Sequence, residues 1–247
     1  MNPLLAVIGG TGLYRIDALA GMTRHVVETP WGAPSDAIAC GNLDGRPVAF
    51  LARHGERHSI APDRINNRAN LWALQALGVR RIVAVNAVGG IRADLPPRAV
   101  VVPDQIIDYT WGRDSTFGGD AETPVRHIDF SEPYDPALRR DLLSAAEAAG
   151  VPAIDGACYG ATQGPRLETR AEIARMRRDG CDLVGMTGMP EAALARELGL
   201  AYACLALVAN WAAGCGGTDE ISLDEVHANL AAATAAIAPV IRGLRMD

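Results

Sequence analysis

Short apolar runs that end at glycine or at a polar residue alternate with segments of helical spacing along almost the whole chain. Residues 4–8 run into Gly9, residues 81–88 run into a glycine pair, and residues 201–208 form a third such run. Buried strands that alternate with amphipathic helices are typical of layered α/β folds. The sequence therefore predicts an α/β fold with a mixed central sheet flanked by helices.

Length and composition predict one domain. The chain has 247 residues, of which 49% are hydrophobic, enough to bury a single large core. The sequence shows no internal repeat, low-complexity tract or linker, so we predict a single domain over residues 1–247. It also has no basic N-terminal segment and no run long enough to cross a membrane, which predicts a cytoplasmic protein without membrane contact. The five cysteines lack a C-x-x-C pair and are expected to be reduced thiols.

The charged residues exclude several classes of protein. Lys and Arg together number 23, and all 23 are arginine, so the sequence contains no lysine. This excludes Schiff-base aldolases, pyridoxal enzymes and P-loop NTPases, because each depends on a lysine side chain. The formal charge of -6 argues against nucleic acid as a partner, because phosphate contacts need clustered cations. The expected partner is a small molecule.

Local patterns predict several further elements. The Asp44-Gly45 pair lies between two apolar runs and predicts a β-hairpin. Residues 100–107 and residues 153–159 each predict one extended strand. The stretch 111–133 has little regular pattern, which favours a functional loop or a subunit contact.

Several loops that follow apolar runs carry small or polar residues suited to a ligand. In open α/β sheets ligands bind beyond the carboxyl ends of the strands, so these loops are the expected site. They are residues 9–12 (GGTG), 53–55 (RHG), 86–90 (NAVGG), 162–169 (TQGPRLET), 186–187 (MT) and 208–210 (VAN). Each could also be an ordinary turn or strand end. The GGTG loop lacks the third glycine of a dinucleotide fingerprint, which weakens the interpretation as a reductase.

The residue types in these loops suit a phosphate ion. Backbone N–H groups and the hydroxyl of Thr11 can form an anion-binding turn, and the guanidinium fork of Arg53 can bind two phosphate oxygens. His54 offers an additional donor. Glu168 precedes a predicted helix and could instead simply favour the helix dipole.

The order of the motifs GGTGL, RHG, NAVGG, GPRLET and M-T-x-x-P-E resembles the trimeric purine nucleoside phosphorylases. Within that family the chain is similar to the methylthioadenosine phosphorylase branch, and the resemblance covers nearly the whole chain. It implies that inorganic phosphate cleaves a purine nucleoside to the free base and a pentose 1-phosphate, with neither a metal nor an organic cofactor. It also implies a homotrimer.

The resemblance assigns the phosphate end of the site. It implies that phosphate contacts Thr11, Arg53, His54, Asn86, Ala87 and Thr187. Phosphate beneath the sugar would stabilise an oxocarbenium-like transition state. His54, Thr187 and Asn210 are the expected catalytic residues. Many methylthioadenosine phosphorylases carry threonine where this chain has Asn86.

At the base end, the resemblance implies contacts from Leu167, Glu168, Asn210 and Ala212. The methylthioadenosine branch uses two aspartates where this chain has Asn210 and Ala212. An amide can accept one hydrogen bond and donate another, which suits a nitrogen-7 proton beside a 6-oxo group. Glu168 falls where 6-oxopurine phosphorylases place a glutamate. These differences predict a 6-oxopurine base.

At the sugar, Met186 is expected to form an apolar floor, and Leu223 and Val226 an apolar pocket for the 5′ substituent. His127 resembles a histidine that reaches the neighbouring subunit's pocket, and a shifted alignment could make His227 a 5′-hydroxyl ligand. The expected activity is phosphorolysis of 5′-methylthioinosine to hypoxanthine and 5-methylthioribose 1-phosphate. The alternatives are a methylthioadenosine phosphorylase, an inosine/guanosine phosphorylase, a dinucleotide-dependent reductase and a non-catalytic nucleoside-binding protein.

Overall fold

A computed structural model describes residues 4–11, 13, 19–119, 123–217 and 220–244. Strands and helices alternate along these residues. The strands are β1 (Leu5–Gly9), β2 (Ala20–His25), β3 (Ile38–Leu43), β4 (Arg46–Ala52), β5 (Arg81–Gly90), β6 (Val100–Val102), β7 (Gln105–Asp108), β8 (Ala153–Asp155), β9 (Cys158–Ala161), β10 (Leu183–Gly185) and β11 (Ala201–Trp211). The helices are α1 (Asn67–Ala76), α2 (Pro136–Ala148), α3 (Arg170–Asp179), α4 (Glu191–Glu197) and α5 (Leu223–Gly243), with a 3₁₀ turn at Pro62–Arg64.

The strands form one mixed sheet around β5, which confirms the predicted fold class. The first half of β5 pairs in parallel with β1 on one side and with β11 on the other. Its last two residues pair in antiparallel fashion with β10, which then pairs in parallel with β9. Among the described pairings, β5 is therefore the only strand that joins the branch of the sheet that begins at β1 to the branch that begins at β10.

Alternation along the central strands builds a core on each face of the sheet. Ala6 and Ile8 of β1 pack on the side of α1 and α4, whereas Leu5 and Val7 pack on the side of α2 and α5. Successive side chains of a strand point to opposite faces, so a strand covered on both faces must be apolar throughout. This is why β1, β5 and β11 appear in the sequence as continuous apolar runs.

The register of the parallel strands aligns their carboxyl ends. Gly9 at the end of β1 lies opposite Ala52 at the end of β4 and opposite Val85 in β5. Gly185 at the end of β10 lies opposite Ala161 at the end of β9. The loops that follow these strands therefore meet at one edge of the sheet, although they are far apart in sequence.

The hairpin prediction at Asp44-Gly45 is confirmed, since β3 and β4 pair across this turn. The predictions of single strands over 100–107 and 153–159 are wrong, because each range divides into two strands with different partners. Pro103 cannot donate a ladder hydrogen bond, and Gly156 adopts φ +83. The chain therefore turns at these points from the β6–β8 pair to the β7–β9 pair. Strand β2 was not predicted, because all of its residues are exposed and its sequence lacks alternation.

The irregular stretch predicted between 111 and 133 is irregular in the structure as well. Residues 111–119 and 123–133, which are the part of it that the structure describes, contain no helix or strand. A search of the described helices finds none that is long and apolar enough to cross a membrane.

Candidate active site

A cleft of about 310 Å³ opens where the carboxyl-end loops meet. Most of the residues that the sequence singled out line it together: Thr11, Arg53, His54, Ala87, Leu167, Glu168, Met186, Thr187, Asn210, Ala212, Leu223 and Val226. Asn86 and His127 do not line the cleft. Gly12 of the GGTG loop lies outside the described residues.

A buried ion pair stands behind one end of the cleft. Arg53 and Glu191 are both 0% exposed, and the guanidinium donates from Nε to Oε2 at 2.8 Å and from Nη2 to Oε1 at 2.9 Å. Tyr202 donates to the same carboxylate at 2.8 Å. Desolvation opposes the charge of Arg53, but the facing carboxylate prevails and raises its pKa. Arg53 is therefore held as a cation inside the core.

This pairing corrects the prediction that the fork of Arg53 binds two phosphate oxygens. The fork edge is occupied by Glu191, and Nη1 and Nη2 also donate to the carbonyl of Val85 and to Oδ1 of Asn86. A guanidinium has five N–H donors, and these bonds use four of them. One Nη1 hydrogen has no acceptor among the described residues, and Arg53 is among the residues that line the cleft.

Gly10 allows this arginine to reach its position. A Cβ built on Gly10 would lie 2.8 Å from Nη1 of Arg53 and 2.8 Å from the carbonyl oxygen of Val85. Both distances are too short for carbon, so only glycine fits at this point of the GGTG loop. The glycine therefore serves close approach as well as the turn.

Asn86 is fully buried and supports two residues of the cleft from behind. Its Oδ1 accepts from Arg53 at 3.2 Å, and its Nδ2 donates to Oγ1 of Thr187 at 3.1 Å. Because the Thr187 oxygen accepts from Asn86, its own hydrogen is left to donate into the cleft. Asn86 does not line the cleft itself, and its described side-chain contacts are with Arg53 and Thr187, so its direct contact with phosphate stays a prediction.

His54 is oriented by the backbone. Its Nδ1 lies 2.8 Å from the carbonyl oxygen of Ile60, and a carbonyl can only accept, so Nδ1 carries a proton. Burial lowers the pKa of His54 to about 4 and keeps the ring neutral. A neutral ring protonated at Nδ1 presents an unprotonated Nε2. His54 therefore offers the cleft an acceptor, not the donor that the sequence suggested, and can accept a hydrogen bond from a protonated phosphate oxygen.

Glu168 and Asn210 both line the cleft, and their hydrogen bonds to neighbouring residues decide which of their donors and acceptors remain free. Thr162 donates its hydroxyl to Oε1 of Glu168 at 2.6 Å, which leaves Oε2 as the free acceptor. Nδ2 of Asn210 donates to the carbonyl of Trp211 at 2.7 Å, so its Oδ1 and one N–H remain available. The pairing of β11 with β5 shifts register between Val208 and Asn210, and this bulge turns the end of β11 toward the cleft.

The remaining wall combines apolar residues with histidines. Leu223 and Val226 from the start of α5 line it, although Leu223 is 63% exposed in the chain. His58 and His227 line the same wall, and the rings of His54 and His58 lie 4.7 Å apart. The alternative in which His227 reaches the site is therefore compatible with its position.

No local sequence pattern assigns a role to Glu191, Thr162 or His58, although each contacts a residue that lines the cleft. Glu191 belongs to the M-T-x-x-P-E motif, Thr162 belongs to the loop 162–169, and His58 lies four residues beyond His54. A buried carboxylate opposite a buried arginine is a contact between residues 138 positions apart, which no local pattern indicates. His127 is exposed on the segment 123–133 and is not among the residues that line this cleft in its own chain.

The cleft thus brings together donors that an anion could accept, on Thr187 and the Thr11 loop, and side chains that between them keep a free donor and free acceptors, Glu168 and Asn210. A nucleoside phosphorylase requires this arrangement. The chain belongs to the phosphorylase superfamily, whose family model matches residues 4–244. It is a nucleoside phosphorylase, an enzyme that transfers a pentosyl group to phosphate.

Related proteins cover almost the whole chain. A Xanthomonas campestris pv. campestris protein named probable S-methyl-5′-thioinosine phosphorylase is 60% identical over 237 residues, which are 96% of this chain and 95% of the relative. A Pyrococcus furiosus 6-oxopurine nucleoside phosphorylase is 47% identical over 220 residues, 87% of this chain and 82% of its own. The crystal structure of a methylthioadenosine phosphorylase from an antarctic soil metagenomic library has a TM-score of 0.92 at 41% identity, and the match covers 98% of this chain and 85% of that one.

Replacing Glu191 with glutamine should destabilise the protein strongly. The change leaves Arg53 as a buried cation without its counter-ion, which costs about 3–5 kcal/mol when one partner of a buried pair is removed. Chemical denaturation should show this loss. Asp94→Asn is the matched control, because the Arg92–Asp94 pair is solvent-exposed and its loss should leave stability almost unchanged. Equal denaturation midpoints for the two variants would contradict the prediction.

The neutral state of His54 predicts a pH-dependent stability. Its pKa is lowered from the ordinary 6.5 to about 4 by burial, so the unfolded chain binds the extra proton between these pH values. The resulting stabilisation is complete above about pH 6.5 and is lost as the pH falls toward 4, by about 3 kcal/mol in all. Unfolding free energies of wild type and His54→Asn, measured from pH 7.5 to pH 4, should converge as the pH falls. Parallel pH profiles would refute this.

Proposed function

We propose that the enzyme catalyses phosphorolysis of 5′-methylthioinosine, which yields hypoxanthine and 5-methylthioribose 1-phosphate. The observation that carries this proposal is the pair Asn210 and Glu168 at the base end of the cleft, where the adenine-specific branch has aspartates at the positions of Asn210 and Ala212. The name of the Xanthomonas relative and that of the Pyrococcus relative both agree with a 6-oxopurine substrate.

The free atoms of the two side chains match hypoxanthine. Oδ1 of Asn210 can accept the proton at nitrogen 7, and its free N–H can donate to the 6-oxo group. Oε2 of Glu168 can accept the proton at nitrogen 1, because Thr162 already occupies Oε1. Adenine would set an unprotonated nitrogen 1 against this carboxylate. A site that leaves buried polar groups unpaired can discriminate by about 10⁴-fold.

The other end of the cleft fits phosphate as the second substrate. One N–H of Arg53, the hydroxyl of Thr187 and the residues of the GGTG loop can donate to phosphate oxygens, and His54 can accept from a P–OH group. An oxygen of the bound phosphate attacks the anomeric carbon as the bond from that carbon to nitrogen 9 breaks. Positive charge on the sugar is stabilised by the phosphate below it. The electron pair of the broken bond leaves with the purine, which takes up a proton from solvent at nitrogen 7, and Oδ1 of Asn210 can accept the hydrogen bond of the N–H so formed.

The sugar's 5′ substituent would lie against the start of α5. Val226 is half-buried against the core on the α5 side, and Leu223 adds an apolar surface beside it. These residues favour a methylthio group over a hydroxyl. His227 on the same wall favours a second candidate, an inosine/guanosine phosphorylase in which this ring binds a 5′-hydroxyl.

A set of four nucleosides tests the base and the 5′ group independently. We expect kcat/KM to be highest for 5′-methylthioinosine, lower for inosine by about 10–200-fold, and much lower for 5′-methylthioadenosine and adenosine. The expected order follows from the polarity of Glu168 and Asn210 and from the apolar wall of Leu223 and Val226. Phosphate-dependent release of the base, measured for each nucleoside, gives the four values. Omission of phosphate should stop the reaction.

Variants assign each preference to its residues. Asn210→Asp combined with Ala212→Asp should shift relative activity toward the 6-amino nucleosides, and Glu168→Ala should mainly reduce 6-oxopurine turnover. Neither variant should change the ratio between 5′-methylthioinosine and inosine. A wild-type enzyme that cleaves 5′-methylthioadenosine at least as well as 5′-methylthioinosine would refute the base assignment. Equal values for inosine and 5′-methylthioinosine would instead favour His227 as a hydroxyl ligand.

We also propose a homotrimer in which His127 completes the pocket of a neighbouring subunit. His127 is exposed and does not line the cleft of its own chain, and both observations support this role. Sedimentation should give the mass of a trimer, and His127→Ala should raise KM for the nucleoside while the trimer persists. A fully active monomer would contradict the proposal.

A further inference from the structure

Arg113 makes a set of contacts that the reaction as described so far does not use. Nη1 donates to the carbonyl oxygens of Met186 at 2.9 Å and Met189 at 2.6 Å. Nη2 donates to the carbonyls of Thr162 at 3.2 Å and Gln163 at 2.8 Å, and Nε donates to Oε1 of Gln163 at 3.3 Å. All five N–H groups of this half-buried guanidinium therefore have acceptors in only two loops.

Those two loops follow the paired strands β9 and β10 and hold different residues of the cleft. The segment 186–189 follows β10 and carries Met186 and Thr187, which line the cleft and under the proposed function contact the sugar and the phosphate. Thr162 and Gln163 follow β9, and the hydroxyl of Thr162 fixes Glu168 at the base end. Nη1 bonds to both ends of the first segment, and Nη2 bonds to two successive carbonyls of the second.

Arg113 itself lies on neither strand. It belongs to the irregular segment after β7, whose last residue Asp108 lies opposite Ala161 of β9. The register thus brings the start of this segment to the same sheet edge as the two loops. Arg113 does not line the cleft, so it can act on the substrate only through the residues it holds.

We propose that Arg113 is a positioning residue that fixes the phosphate and sugar loop relative to the base loop. Phosphate attack requires the anomeric carbon, the phosphate oxygen and the leaving base to be held in one line. A misplacement of about 1 Å can cost about 100-fold in rate. One planar guanidinium that joins both loops sets the distance between them, which neither loop can set alone.

The fork geometry is essential to this role. Lysine carries the same charge but presents three donors from a single nitrogen, so it cannot reach carbonyls on two loops at once. The role rests on the nucleoside phosphorylase reaction, whereas its effect on base selectivity rests on the proposed 6-oxopurine specificity.

Steady-state kinetics of Arg113→Ala and Arg113→Lys test the proposal, with the nucleoside that the wild type cleaves best. We expect kcat to fall by about 100-fold in Arg113→Ala and the KM for phosphate to rise, with incomplete recovery in Arg113→Lys. Guanidinium chloride at millimolar concentrations should restore part of the activity of Arg113→Ala in a saturable way. It should not restore Arg113→Lys, in which the ammonium fills the space.

Control variants separate positioning from general destabilisation. Arg175→Ala removes an exposed arginine paired with Asp179 and should keep wild-type kinetics and show no response to guanidinium. The effects of Arg113→Ala and Glu168→Ala on 6-oxopurine turnover should be less than additive, because both act through the base loop.

If the 6-oxopurine specificity fails in the wild type, the test through kcat, phosphate KM and rescue still stands. Wild-type kinetics in folded Arg113→Ala, or a loss that guanidinium does not relieve and that Arg113→Lys restores fully, would overturn the proposal.

Discussion

The ion pair between Arg53 and Glu191 joins the catalytic cleft to the hydrophobic core. Two fully buried charges are tolerated because they meet with two short hydrogen bonds and because Tyr202, Asn86 and Val85 satisfy all but one of the remaining N–H and carboxylate groups. The pairing also limits what Arg53 can do. Its charge is largely balanced by Glu191, so Arg53 presents no open cationic fork to an anion in the cleft.

The rest of the site consists of residues that touch the cleft and residues that hold them. Asn86 orients Thr187, Thr162 orients Glu168, and the carbonyl of Ile60 fixes the proton of His54. In each case the supporting bond uses up one donor or acceptor, which decides the polarity that remains for the substrate. A cleft assembled this way distinguishes ligands by hydrogen-bond direction, a property well suited to telling a 6-oxopurine from a 6-aminopurine.

Loop position in this fold depends on strand register. The ends of β1 and β4 align at Gly9 and Ala52, and those of β7, β9 and β10 align around Ala161. These two groups of loops form the two sides of the cleft, and β5 connects them because it pairs with both β1 and β10. Arg113 joins the loops after β9 and β10, which both belong to the second group, and so fixes the segment of Thr187 relative to the segment of Thr162 within that group.

The sequence by itself determined the α/β class, the apolar central strands and most of the residues that line the cleft, because strand periodicity and loop chemistry are local properties. It also indicated the change from aspartates to Asn210 and Ala212. Only the tertiary structure decided that Arg53 is committed to Glu191 and that His54 presents an acceptor. These outcomes depend on contacts between residues far apart in sequence, where burial and competition for donors select one partner among several that the same side chain could accept.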